Sequence, residues 1–187
     1  LFILIIKRYS QSNILKLITT TLSSGYAIPG AIIGLSFMLL LQQNSFLSAL
    51  MGTTFLLIYA YVFRFMAVAI FPIENSLKKQ PFEFDRLADS LKISNLKKFV
   101  KINLPLSFNS IIIAFLIVFI DIMKELPLTL ILRKSTGKFN TLAIEAYNKA
   151  KNEELASSSL YSLTIVLICI IMIIVVNNFL KKKKNVY

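Results

Sequence analysis

The stretch from Leu160 to Leu180 carries no charged side chain and runs directly into four lysines, Lys181 to Lys184. Roughly 20 apolar residues wound as a helix cross the ~30 Å hydrocarbon core of a bilayer. A helix also satisfies every backbone N–H and C=O within the segment, which the bilayer demands. Tyr161 marks one interface and the lysines stop the segment at the other. Three more stretches follow the same rule. Thr21 to Leu41 contains Gly25, Pro29, Gly30 and Gly34, small or helix-bending residues that packing between membrane helices tolerates. Phe46 to Phe71 carries one charge, Arg64, near enough to its end to snorkel toward the headgroups. The last begins at Pro105, favourable in a first helical turn, and is cleanly apolar from Ile111 to Ile120 before Asp121 interrupts it. With 56% hydrophobic residues and a mean hydropathy of +0.72, the chain exceeds what a soluble core needs. The expected fold is all-α and polytopic, with four full transmembrane helices. Leu1 to Ile6 reads as the tail of a truncated N-terminal helix in a fragment. It is not a signal peptide, because Lys7 and Arg8 follow the apolar residues.

The formal net charge of +12 lies between the apolar stretches, a positive-inside pattern and not a nucleic-acid surface. Lys7, Arg8 and Lys16 precede the first stretch, and Lys78, Lys79, Arg86, Lys92, Lys97, Lys98 and Lys101 crowd the polar segment 76–103. With the terminal lysines, these belong in the cytoplasm. Gln42 to Ser45 and the mixed-charge segment Arg133 to Glu154 then fall outside, and four crossings alternate. The absence of histidine excludes imidazole proton relays and His-held zinc or haem. Cys169 is the one cysteine, so there is no disulfide framework and no thiolate cluster. The seven tyrosines are scattered without carboxylates beside them, so no metal site is expected.

Within 76–103, Phe84 to Leu91 suits a short helix with Leu87, Ala88 and Leu91 on one face and Asp85, Arg86, Asp89 and Lys92 around the rest. Ser94 suits the N-cap of a second, in which Leu96, Phe99 and Val100 recur at helical spacing. Periodicity alone leaves open whether the pair forms a compact plug or rests on lipid headgroups. Counted back from Pro105, the segment resembles the EAA motif of binding-protein-dependent ABC transporter permeases: Glu-Ala-Ala, three residues, Gly, nine residues, Ile-x-Leu-Pro. Ile102, Leu104, Pro105 and Ala88 match it. Arg86 and Leu87 replace the Glu and first Ala, and Lys92 replaces the Gly, so Lys92 must turn left-handed or the turn must change shape.

A second segment, Asp121-Ile122-Met123-Lys124-Glu125-Leu126-Pro127-Leu128-Thr129-Leu130-Ile131-Leu132-Arg133, precedes Phe139-Asn140-Thr141-Leu142-Ala143 and Ala146-Tyr147. Together with Gly25-Tyr26-Ala27-Ile28-Pro29-Gly30 it is similar to the iron(III) transporter branch of that family. Asp121, Lys124 and Glu125, at i, i+3 and i+4, point to one side of a helix. So near the hydrocarbon they mark a translocation pathway or a pairing site, unless the third span has already ended in the headgroups. Pro127 should bend or stop the helix there. Asp121, Lys124, Glu125, Pro127 and Thr129 are the pathway candidates.

The resemblance implies a single permease domain over 1–187, folded like an ABC type I importer, with 76–103 as its cytoplasmic coupling loop. It implies a multi-pass protein of the bacterial inner membrane that catalyses no chemistry and binds no cofactor itself. No Gly-x-x-x-x-Gly-Lys-Ser/Thr loop occurs in the chain, so ATP and magnesium belong to a partner ATPase dimer. A solute-binding protein, a second permease module or subunit and the lipid bilayer complete the partners. Asp85, Arg86, Leu87, Ala88, Asp89, Leu91, Lys92, Ile102, Leu104 and Pro105 are the candidate coupling residues. Permeases for thiamine, polyamine, phosphonate or molybdate share the loop. A secondary transporter, or a membrane sensor or assembly protein, is the alternative from another class.

Overall fold

The computed structural model describes residues 2–9, 12–22, 24–43, 48–133 and 140–184. In order the helices are α1 (Phe2–Tyr9), α2 (Asn13–Leu22), α3 (Gly30–Gln42), α4 (Thr54–Lys78), α5 (Phe82–Ser90), α6 (Asn95–Lys98), α7 (Leu104–Leu106), α8 (Phe108–Met123), α9 (Pro127–Leu132), α10 (Leu142–Lys151) and α11 (Leu155–Lys184). A 3-10 turn, Gly25–Ala27, leads into α3, and a π-helical turn, Phe99–Asn103, joins α6 to α7. Among the described residues the extended pairing is a single bridge between Gly52 and Arg133. The chain is all-α and polytopic.

Helices α4 and α11 are each long and apolar enough to cross a bilayer, and α8 adds a third crossing if the helix bent by 73° ahead of it is counted with it. The other two stretches are interrupted. Pro29 has no N–H to donate and Ile28 before it is extended, so the first stretch breaks after α2 and restarts as the thirteen-residue α3. The third bends at Ser107, so its straight part starts at Phe108 and not at Pro105. At about 1.5 Å per residue α8 is some 24 Å long, short of the hydrocarbon thickness. The second stretch begins later than apolarity alone suggests. Gly52 takes a positive φ of 72°, Thr53 Oγ1 accepts from Leu56 N–H at 3.3 Å, and the helix runs from Thr54 to Lys78. Phe46 and Leu47, like Asn44 and Ser45 of the connector, lie outside the described residues, as does Phe139 of the later motif.

Helix α4 is the spine of two apolar cores. Near its start, Leu56 and Ala60 pack with Ile33 and Leu41 of α3 and Leu128 and Leu132 of α9. Toward its end, Ile70, Ile73 and Leu77 pack with Leu4 of α1, Phe99 of the π turn and Ala114 of α8. Helix α11 is apolar on all sides and largely exposed, as a helix facing lipid is, and packs on α10 and α8. Ser158 Oγ donates to Ala146 O at 2.8 Å across the α10–α11 hairpin. Its turn carries Glu153 at φ 63° and a Lys149–Glu154 ion pair of 2.8 Å. The hydrogen bond to Glu154, then its charge, holds the Lys149 ammonium above the usual lysine range.

Candidate coupling surface and buried charge pairs

Two short helices form in 76–103, but α5 is turned differently from its apolar pattern. Ala88 faces inward, 2% exposed, and Asp85 is buried with it, whereas Leu87 and Leu91 are 63% and 73% exposed. The expected Leu87–Ala88–Leu91 face is therefore split, because Asp85 has a cationic partner inside that solvent does not supply. Arg8 of α1 binds that carboxylate through Nη2 at 2.6 Å and Nε at 3.1 Å, and its Nη1 donates to Leu77 O at 2.5 Å. Phe84, Leu87, Leu91, Leu96 and Val100 are left as an exposed apolar surface, with Arg86 and Lys92 beside them. Ser94 stands at the N-cap of α6 with extended backbone but makes no side-chain cap bond there.

Lys92 is left-handed, with φ 54°. Ile93 N–H donates to Ala88 O at 3.0 Å and Lys92 N–H to Asp89 O at 2.8 Å, the paired bonds of a Schellman cap with Lys92 where glycine is preferred. The turn is thus preserved and the lysine carries the strain. Lys98 is not one of the solvated charges of the segment: it is 2% exposed, pairs with Asp89 at 2.7 Å and lies 4.9 Å from the Tyr9 ring centre. At the exit, Ile102 and Leu104 are half-buried, Pro105 is exposed and Asn103 is buried. Gln80 Nε2 donates to Asn103 O at 3.2 Å and to Ser107 Oγ at 2.9 Å, and the Asn103 carboxamide lies 3.0 Å from Gln80 Oε1. Tyr9 Oη sits 3.0 Å from Asp85 Oδ1 and 2.8 Å from the Asn103 carboxamide. Burial first, then donation to Asp85, pushes the Tyr9 phenol up to about 12, so it stays a donor at physiological pH.

The pathway candidates divide into two groups. Helix α8 ends at Met123, ahead of Pro127, so Asp121, Lys124 and Glu125 do not share a helical face as their spacing suggests. Asp121 is buried and pairs with exposed Lys124 at 2.8 Å. It lines a cavity of about 590 Å³ with Ser24, Tyr26, Ala67, Phe71 and Ile117. Glu125 turns the other way and meets Arg64 of α4 at 3.2 Å. Arg64 does not snorkel: with α4 running from Thr54 to Lys78 it is remote from both ends, and pairing replaces the headgroup contact. Glu125 Oε1 also accepts from Leu128 N–H at 3.0 Å, capping α9, which Pro127 opens at a position needing no N–H. Thr129 Oγ1 donates to Glu125 O at 3.1 Å and lies 2.5 Å from Tyr61 Oη.

Gly30 makes room for this pair. A Cβ there would stand 1.5 Å from Arg64 Nη1 and 2.8 Å from Glu125 Oε1. Arg64 Nε and Nη1 are buried without a hydrogen-bond acceptor. Gln80, Asn103, Ser107, Tyr9 and Arg8 escaped the sequence patterns, because their partners are distant in the chain. For Arg64 and Glu125 a signal existed, since charges inside apolar segments are costly unless paired.

The chain has a relative in an Fe(3+)-transport system permease protein of Haemophilus influenzae, with 28% identity over 142 residues. The match covers 76% of this chain and 27% of that protein, so the chain spans about a quarter of its relative's length. No solved structure matches. Over residues 2–185 it matches the family of binding-protein-dependent transport system inner membrane components, and to that family of ABC transporter permeases it belongs.

Proposed function

We propose that the chain forms a translocation module of an ATP-driven importer for iron(III), with 76–103 and the C-terminal lysines in the cytoplasm of a bacterial cell. A separate ATPase dimer, which holds the ATP and magnesium, grips α5 and α6. Closure of the dimer moves them as a lever, and α4 and α8 carry the shift to the pathway. A solute-binding protein delivers the cargo from the opposite side, and a second permease module, fused or separate, completes the path. Asp121, Lys124, Glu125, Pro127 and Thr129 line or shape that path, and bond chemistry is left to the ATPase.

The observation that carries this is the apolar face of α5 and α6. Five large side chains, Phe84, Leu87, Leu91, Leu96 and Val100, lie open on a polar, lysine-rich segment, while Asp85 and Lys98 on its inner side are paired with Arg8 and Asp89. A rigid element with an unpartnered apolar face suits another protein. The iron assignment rests on the Haemophilus influenzae relative and on the segment from Asp121 to Arg133. A cysteine at Leu91 should crosslink to the ATPase subunit in membranes, and absence of any such adduct would remove the lever. Iron uptake that survives loss of both Lys124 and Glu125, or a preference for another solute, would remove the cargo assignment.

A further inference from the structure

A lever needs a fulcrum, and the contacts beneath α5 identify one that the coupling motif does not contain. Asp85 stands one residue before the motif's opening and is among the candidate coupling residues, yet its side chain is 10% exposed and turned away from the exposed apolar face. Both of its oxygens are engaged from α1: Arg8 takes Oδ2 and Tyr9 approaches Oδ1. The Arg8 side chain is itself 6% exposed, and its third nitrogen reaches the carbonyl of Leu77 in the last turn of α4. Phe82 covers the guanidinium, with Arg8 Cζ 5.4 Å from its ring centre. One planar cation therefore ties three pieces together: the first turn of the coupling helix, the end of the spine and the N-terminal helix. A guanidinium can do this because its five donors diverge in a fixed fork, which an ammonium lacks.

The rest of the network closes the loop on the same point. Lys98 bridges α6 to Asp89 of α5 over the Tyr9 ring, and Gln80, just past α4, holds Asn103 and Ser107, just before α8. Leu4, 1% exposed, seats α1 in the core with Ile73, Leu77 and Phe99. If α5 is pushed, α1 must move with it.

We propose that Arg8 and Tyr9 are positioning residues of the coupling machinery, and that the Arg8–Asp85 clamp makes α1 an output of the lever alongside α4 and α8. Asp85 is an internal anchor and not a contact for the ATPase. This rests on the proposed docking of an ATPase on α5 and α6. Without the clamp, α5 still docks but slips against the spans, so hydrolysis and transport part company.

The test uses the full-length permease assembled with its ATPase and solute-binding protein in proteoliposomes, carrying Arg8→Gln, Asp85→Asn or both, each with and without Leu91→Cys. A buried charge-assisted bond biases a conformational equilibrium about tenfold or more. Each single variant should lose transport per ATP hydrolysed by about that factor, while the Leu91 cysteine still crosslinks to the ATPase. The double variant should lose no more than either single, since the two residues act as one unit. Arg8→Lys should recover only part of the coupling. Unchanged coupling in both single variants, or losses that add in the double, would overturn the clamp. If a variant fails to assemble, the crosslink disappears with it, and Arg8→Lys and Tyr9→Phe then serve: full coupling in both is also a refutation. Loss of the Leu91 crosslink in the otherwise unaltered protein would instead strike the docking itself.

Discussion

Replacing Arg64 with methionine is the sharpest probe of the membrane-embedded pair. The Glu125 side chain is 6% exposed and the Arg64 side chain 16%, so neither charge has water to fall back on. In Arg64→Met, Glu125 keeps the Leu128 N–H at 3.0 Å and loses its counter-charge. Breaking a buried pair from one side costs about 3–5 kcal/mol. Glu125→Met should cost a similar amount, since it strands a guanidinium whose Nε and Nη1 already lack acceptors. In the double variant no charge remains to be solvated. What is lost then is chiefly the Leu128 cap, worth about 1 kcal/mol. The two single costs would sum to about 6–10 kcal/mol against about 1 for the pair, so the cycle should be strongly non-additive. SDS titration of purified protein in mixed micelles, followed by loss of helical circular dichroism, gives the four midpoints. A double variant as unstable as the worse single, or an Arg64→Met variant within about 1 kcal/mol of the original, would refute the claim that mutual desolvation governs this site.

Other substitutions grade the remaining contacts, and the same titration ranks them. Gly30→Ala should reproduce Arg64→Met, because its Cβ would lie 1.5 Å from the guanidinium, whereas Gly34→Ala meets Ile131 atoms at 3.1–3.3 Å and should cost about 1 kcal/mol. Equal effects would mean that Gly30 is not shaped by the ion pair. Lys92→Gly should stabilise the chain by about 1 kcal/mol, since it removes a side chain from a left-handed cap without altering the Ile93 and Lys92 hydrogen bonds; a loss of stability would contradict this. Ala88→Leu should destabilise by about 1–3 kcal/mol through overpacking, while Leu91→Ser should leave stability within about 0.5 kcal/mol and weaken ATPase binding in a pull-down. The reverse ranking would place the docking face on the wrong side of α5.

Local patterns were legible in the chain, and non-local partners were not. Helix α11 needs only its own apolar run and its lysines, and it forms where that run lies, extended at both ends. Lys92 was legible too, since a lysine in the place of a turn glycine must accept a left-handed backbone or break the turn. The start of α4 was hidden because Phe46 to Phe71 is continuously apolar, and the cap that decides the boundary, Thr53 after Gly52, is quiet beside that signal. That shift then changed the meaning of Arg64: a charge near the end of a span can reach water, and one remote from both ends must find a carboxylate.

The same asymmetry governs α5. Hydrophobic spacing grouped Ala88 with Leu87 and Leu91 because periodicity weighs each side chain by its own polarity. Burial is instead decided by what lies opposite, and opposite Asp85 lies Arg8, 77 residues away. An amphipathic pattern therefore misjudges the inner face where a buried ion pair competes with leucines, since stranding Arg8 costs about 3–5 kcal/mol, the same order as the about 3–6 forgone by leaving Leu87 and Leu91 exposed. The leucines left outward are the ones the proposed ATPase contact would cover, so the anchor and that proposed face of α5 follow from one orientation of the helix.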